Sequence, residues 1–284
     1  MKIFRRHPEW IKVRVPAGET YFGTQEIVRE GKLHTVCEEA RCPNIGECWG
    51  QRTATFMLMG DRCTRNCAFC AVAHGQAGPL DSDEPRRVAD AVMRLGLRHA
   101  VITSVSRDDL PDGGAGHFAE TARAISKALP GCRVEVLVPD FQGSESAVDA
   151  VAEAPIGVFN HNLETVARLY RGVRTGASYE RSLAVLRRAK ERRHGFVTKS
   201  GLLLGLGEEH GELESAFGDL RAAGCDILTL GQYLRPRRDL LPVARYLAPE
   251  EFGELKGLAL RLGFRHVEAG PLVRSSYRAW SHVQ

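Results

Sequence analysis

The chain has 284 residues, 43% of them hydrophobic, with a formal net charge of +4 and a pI near 8.7. That length and apolar content allow a full buried core, in one large domain or two modest ones, and exclude a chain disordered throughout. Lys and Arg are interspersed with Asp and Glu, which argues against a nucleic-acid footprint, and no stretch approaches the ~18 apolar residues of a membrane span.

Residues 1–52 lack any alternation of strand and helix signals. The segment 1–20 is basic and holds Trp10, Ile11 and Val13, but it carries Glu9 and Glu19 and no apolar run of export-signal length. A cytoplasmic protein with reduced thiols is therefore expected. Six of the eight cysteines fall between Cys37 and Cys70, as two triplets of different spacing: Cys37, Cys42 and Cys48, then Cys63, Cys67 and Cys70. The N-terminal part is expected to be an extension wrapped on the rest and held by its own cysteines.

The first strand is expected over residues 54–59, directly before the second triplet. Further strands are expected over 99–105, 133–138, 156–159, 197–204 and 226–230, each bounded by Gly, Pro, Asp or Asn. Amphipathic stretches fill the gaps. Val88, Val92 and Leu95 follow Pro85 at helical spacing, and Tyr179, Leu183 and Leu186 form a stripe opposite Arg181, Arg187, Arg188 and Glu191. Cys132 and Cys225 begin strands and read as small buried hydrophobes. Gly113-Gly114 has no phosphate-loop or dinucleotide spacing around it and reads as a turn before a helix. Six such units predict an all-parallel α/β fold, which a closed or partly closed barrel fits; the form expected is a partial (β/α)6 TIM-type barrel of parallel strands over 53–270, flanked by extensions over 1–52 and 271–284.

The run Cys63-Thr-Arg-Asn-Cys67-Ala-Phe-Cys70 puts three thiolates on one short loop, enough to hold three corners of a cubic iron–sulfur cluster and leave the fourth iron open. This loop follows the first strand, on the face where barrel enzymes carry their active sites. Thr103, Ser104, Asn160, Asn162, Lys199, Ser200 and Gln232 are assigned to strand ends on that same face, as a polar ring around the open iron. Paired CxxC knuckles would suit zinc better than two uneven triplets do, which weighs against a structural zinc site or a zinc-dependent nucleic-acid module.

The three-cysteine loop, with Phe69 before its last cysteine, resembles the signature of radical S-adenosylmethionine (SAM) enzymes. The run from His34 through Cys37, Cys42 and Cys48 to Trp49 resembles, more narrowly, the auxiliary-cluster motif of the lipoyl synthase family. Arg107-Asp-Asp-Leu-Pro-Asp-Gly-Gly114, Asn160-His-Asn-Leu-Glu-Thr165, Lys199-Ser-Gly201, Gly205-Leu-Gly-Glu208 and Arg274-Ser-Ser-Tyr277 resemble it too, so the likeness spans about residues 33 to 279. One departure is Ser106, which stands where an acidic residue is expected in the family.

The resemblance implies two [4Fe–4S] clusters and SAM. The cluster on Cys63, Cys67 and Cys70 would bind SAM and reduce it to a 5′-deoxyadenosyl radical. The second, on Cys37, Cys42, Cys48 and a serine, would supply sulfur to C6 and C8 of an octanoyl chain on a carrier-protein lysine. That serine is one of Ser275 and Ser276, the resemblance favouring Ser276. Phe69, Thr103, Ser104, Asn160, Asn162, Lys199, Ser200 and Arg274 are the expected cofactor contacts. An octanoylated lipoyl carrier protein or lipoyl domain, a flavodoxin- or ferredoxin-type electron donor, and an iron–sulfur carrier for cluster repair are the implied partners, with no nucleic acid or membrane. The nearest rival is a radical SAM enzyme of other specificity, such as RNA methylthiolation.

Overall fold

Short apolar runs without proline form most of the longer strands. In the computed structural model, which describes residues 7–283, the strands are β1 (His34–Thr35), β2 (Thr55–Leu58), β3 (Arg62–Cys63), β4 (Ala73–His74), β5 (His99–Ser104), β6 (Arg133–Leu137), β7 (Val158–Asn160), β8 (Val197–Leu204), β9 (Ile227–Gln232) and β10 (His266–Gly270). Residues 1–6 of the basic N-terminal segment, and Gln284 of the C-terminal one, lie outside the described residues. Eight strands make one sheet in the order β1-β2-β5-β6-β7-β8-β9-β10. Every neighbouring pair from β2 to β10 in that order is parallel, and β1 runs antiparallel to β2. The sheet is an open partial barrel with one more parallel strand than the six expected. The added strand, β10, reads His-Val-Glu-Ala-Gly, and only Val267 in it is buried, so it lacks the continuous apolar run of an inner strand.

The helices are α1 (Glu19–Glu30), α2 (Val36–Glu39), α3 (Ile45–Gly50), α4 (Glu84–Leu95), α5 (Ala115–Ala128), α6 (Glu145–Ala152), α7 (Ala167–Val173), α8 (Tyr179–Arg192), α9 (His210–Ala222) and α10 (Pro249–Arg261). In α4, Pro85 occupies the first turn, Val88, Val92 and Leu95 are buried, and Gly96 ends the helix at φ 66°. In α8, Tyr179 and Leu186 are buried with Ser182, while Leu183 is only half-buried. Gly114 precedes α5 at φ 87°, the turn expected there. Phe56, Phe118, Phe159 and Phe217 are fully buried, each contributing roughly 1.5–3 kcal/mol by leaving water. Cys132 and Cys225 are buried as small apolar groups.

The N-terminal extension lies along the open edge of the sheet. Through β1, His34 and Thr35 pair with Met57 and Phe56 of β2, and the buried rings of Tyr21 and Trp49 pack with centroids 5.3 Å apart. A Cβ at Gly46 would meet the Arg14 carbonyl oxygen at 2.5 Å, so residues 14–16 pass directly over α3. Among the described residues no helix is long and apolar enough to cross a membrane.

Candidate active site

The second cysteine triplet sits on a loop closed at its neck by β3 and β4, where Arg62 pairs with Ala73 and Cys63 with His74. Arg65 anchors this loop to the strand ends beside it. Its guanidinium donates two hydrogen bonds to Asp108 (2.6 and 2.9 Å) and one to the fully buried Asp140 (2.6 Å). Burial alone would raise the Asp140 pKa, but Arg65 holds that carboxyl below its ordinary value. The loop backbone is fixed as well, since Thr64 N–H donates to the Ser106 carbonyl and Ala68 N–H to that of Val173. The amides of Arg65 and Ser106 both point at the Cys63 sulfur, at 3.4 and 3.3 Å. Ser106, the residue that departs from the family pattern, thus serves the cysteine loop through its main chain.

Cys63, Cys67 and Cys70 open on a cavity of about 310 Å³ at the carboxyl ends of the strands. Phe69, Thr103, Ser104, Asn162 and Arg274, all expected here, line it. The Ser104 hydroxyl is buried with no partner among the described residues, which leaves a hydrogen-bonding group free for an occupant. Asn160, Lys199, Ser200 and Gln232 do not line the cavity. β8 runs on to Leu204, so Lys199 and Ser200 lie early in that strand and not at its end. Lys199 is fully buried in an ion pair with Glu135 (2.8 Å), Asn160 donates to that same carboxylate (3.1 Å), and the Ser200 hydroxyl accepts from Leu163 N–H (3.1 Å). Gln232 spends its amide on the carbonyls of Leu204, Tyr233 and Arg245.

Two residues not singled out from the sequence complete the wall. Glu164, at φ 69°, lines the cavity, and its carboxylate accepts from Asn162 Nδ2 at 2.9 Å. Burial raises its pKa, opposed by the charge of Arg174. Arg174 donates to the Asn162 carbonyl (2.6 Å) and to the Tyr170 hydroxyl (2.8 Å), which places a cation beside Cys67. Glu164 lay within a quoted motif, yet neither residue belongs to a local pattern that marks its role.

The first triplet forms a smaller chamber. Cys37 lies on α2, whose first turn is capped by Thr35; Cys48 lies on α3, and Cys42 on the turn between them. The chamber is lined by all three cysteines together with Arg274, Ser276 and Tyr277. Ser275 faces elsewhere, donating to Asn162 Oδ1 at 2.7 Å, so geometry distinguishes the two serines. The C-terminal segment is held over the chamber by Asn44 Nδ2, which donates to the Leu272 carbonyl (2.7 Å), and by Glu47, which accepts from the Tyr277 hydroxyl (3.0 Å) and from Arg278 (2.8 Å). Burial pushes the Cys37 thiol up to about 12 and the Cys70 thiol likewise to about 12. Both therefore stay protonated near neutrality until a metal displaces the proton.

Cys42, Arg274 and Ser276 line both spaces, so the small chamber and the large cavity adjoin. The donor sets suit iron–sulfur clusters: three thiols facing open space at one position, and three thiols with one hydroxyl at the other.

Comparison with known proteins agrees with this arrangement. The model of the radical SAM superfamily matches residues 57–220, and that of the N-terminal domain of lipoyl synthase matches residues 2–42. The chain is 60% identical to the lipoyl synthase of Rubrobacter xylanophilus over 277 residues, covering 98% of this chain and 86% of that one. It is 56% identical to that of Koribacter versatilis, over 96% of this chain and 90% of the relative. Among solved structures, methylornithine synthase shares the fold at a TM-score of 0.54 and 16% identity, over 93% of this chain and 82% of that one. Streptococcus suis SuiB bound to S-adenosylmethionine does so at a TM-score of 0.60 and 10% identity, over 83% and 56%. The chain therefore belongs to the lipoyl synthase family of radical SAM enzymes, whose chemistry requires SAM and a [4Fe–4S] cluster.

Proposed function

We propose that this lipoyl synthase carries two [4Fe–4S] clusters and inserts sulfur at C6 and C8 of an octanoyl chain amide-linked to a carrier-protein lysine. Cys63, Cys67 and Cys70 would hold one cluster; Cys37, Cys42, Cys48 and Ser276 would hold the other. When bound, the first supplies the electron that cleaves SAM, and the second supplies the sulfur. The observation that carries this reading is the shared wall of Cys42, Arg274 and Ser276, by which the small chamber of the first triplet adjoins the cavity of the second.

The protein's own groups explain how such a site works. Met57, Leu137, Val138 and Leu202 give the cavity an apolar floor suited to an alkyl chain, beside a partly buried polar rim. That rim consists of Thr103, Ser104, Asn162 and Glu164, where a polar cofactor finds acceptors and a free hydroxyl. Thr103 already donates to the Leu137 carbonyl at 2.8 Å, so its oxygen remains available as an acceptor. Arg274 stands between Cys42 and Glu164: burial lowers its pKa while both acidic neighbours raise it, and the guanidinium stays charged. It would offset the negative charge of a thiolate-bound cluster. Ser276 offers an oxygen, a harder ligand than thiolate and so a weaker partner for a soft cluster iron.

The partners proposed are an octanoylated lipoyl carrier protein or lipoyl domain, a flavodoxin- or ferredoxin-type donor, and an iron–sulfur carrier, all in the cytoplasm. The test is anaerobic reconstitution, counting iron and sulfide per chain, then incubation with SAM, dithionite and an octanoyl-lysine peptide while masses are followed. About eight irons per chain and a peptide heavier by two sulfurs are expected. About four irons, or no sulfur gained, overturns the reading.

A further inference from the structure

At the opposite end of the barrel from the cysteines lies a cluster with no part in that chemistry. His266 and Glu268, two residues apart on β10, project to one face, and His282 of the closing 3-10 turn (Ala279–Val283) lies against them. One ligand atom from each falls within 4.8 Å of the other two. His266 Nε2 is 3.7 Å from Glu268 Oε2, and the two imidazoles stack with centroids 5.0 Å apart. His282 is 3% exposed, and neither of its ring nitrogens has a hydrogen-bond partner among the described residues; nor has His266 Nε2. Leaving buried polar groups unpaired is costly, because each has given up its water without a replacement. The charges nearby do not satisfy them, because Lys199 and His99 are both committed to Glu135, at 2.8 and 3.0 Å.

We infer that His266, Glu268 and His282 form a site for one borderline divalent cation, zinc in the first instance, which ties together the two ends of the segment bearing Arg274, Ser275 and Ser276. Two imidazoles and a carboxylate are a ligand set that zinc accepts, with water completing a tetrahedron. Ligand atoms on such an ion lie about 3.3 Å apart, given bonds of about 2.0–2.1 Å, so small side-chain rotations from the present positions close the site. Glu268 precedes that segment and His282 follows it, so the ion would clip a loop whose middle residues line both cysteine chambers. Its role is to hold that segment in place, with no covalent or redox step beyond coordination of the ion.

The test uses enzyme with its clusters reconstituted, so that the cysteine thiols are already occupied, and Zn²⁺ alone as the probe. One zinc per chain beyond the clusters is expected by elemental analysis, with an anomalous peak at the zinc edge between these three side chains in crystals. His282→Gln and Glu268→Gln should each weaken zinc binding by more than about 100-fold. In the unaltered enzyme, zinc should slow amide hydrogen exchange over residues 271–281 by about tenfold or more. A peak confined to other residues, variants that bind zinc as tightly, or unchanged exchange over that segment would each refute the assignment. Should His282→Gln fail to fold, the partly exposed Glu268→Gln decides the matter.

Discussion

His161 is fully buried behind the active-site wall, with Nδ1 donating to the Val138 carbonyl at 2.8 Å and Nε2 accepting from the Ser182 hydroxyl at 2.9 Å. Burial, reinforced by the cation of Arg174, lowers its pKa from 6.5 to about 4. A histidine whose pKa falls on folding favours the folded state above the unfolded value, and that stability is lost as pH drops from about 6.5 towards 4. The loss attributable to this ring is roughly 3 kcal/mol. Urea midpoints between pH 7 and 4.5 should fall accordingly, and His161→Gln should flatten the slope; an unaltered slope in that variant would refute the assignment. Ser276→Ala removes one oxygen from the small chamber while leaving all six cysteines. We expect 5′-deoxyadenosine still to form while doubly sulfurated product drops by at least about tenfold, read by mass spectrometry; an unchanged product yield would exclude Ser276 as a ligand. At this scale the gathering of the cysteines into two groups was legible, because it follows from local spacing. Lys199 and Asn160 were misplaced because strand position alone does not say which layer of a barrel a side chain enters. Glu164 and Arg174 act through contacts made across different loops, which no short run records.

The strands themselves were largely visible as apolar runs: β8 begins and ends where expected, and the others shift by one or two residues. β10 was missed because its half-exposed, polar-alternating sequence resembles a loop. What the runs could not show is how the C-terminal segment reaches back over β8 and β9. Glycine makes that approach possible. A Cβ at Gly231 on β9 would lie 2.0 Å from the Val273 carbonyl oxygen, and one at Gly201 on β8 would lie 2.9 Å from the Ser275 hydroxyl. Because the obstacle at Gly231 is backbone, Gly231→Ala must push residues 273–276 outward, at a cost of about 1–3 kcal/mol. Arg274 and Ser276 then leave the small chamber, while the Cys63, Cys67 and Cys70 loop, held by Arg65, stays in place. Iron per chain should fall towards half after reconstitution, with SAM cleavage retained. Full iron content in Gly231→Ala would show that the segment can yield without disturbing the chamber.

Across the whole molecule, three strands converge on one buried carboxylate carried by a fourth. Glu135 of β6 receives the Lys199 ammonium from β8, Asn160 Nδ2 from β7 and the His99 ring from β5, all inside the barrel and away from solvent. Burial acts to raise the Glu135 pKa, but Lys199 and His99 outweigh it and keep the carboxyl well below its ordinary range. Attraction between such charges does little more than repay their desolvation, so the pair contributes less to net stability than to fixing how the strands meet. Removing one member is different, because it strands the other. Lys199→Met should destabilise the fold by about 3–5 kcal/mol at pH 7, judged by urea unfolding, since an ionised Glu135 loses its counter-charge in the barrel interior. Adding Glu135→Gln should restore a large part of that loss, because no buried charge is then left unpaired. In the single variant the Glu135 pKa should rise above its unfolded value. The stabilising protonated form then dominates at low pH and is lost as pH increases, so the deficit against the unaltered chain should shrink between pH 7 and 5. Equal destabilisation in the single and double variants, at both pH values, would mean that Lys199 matters only for the space it fills.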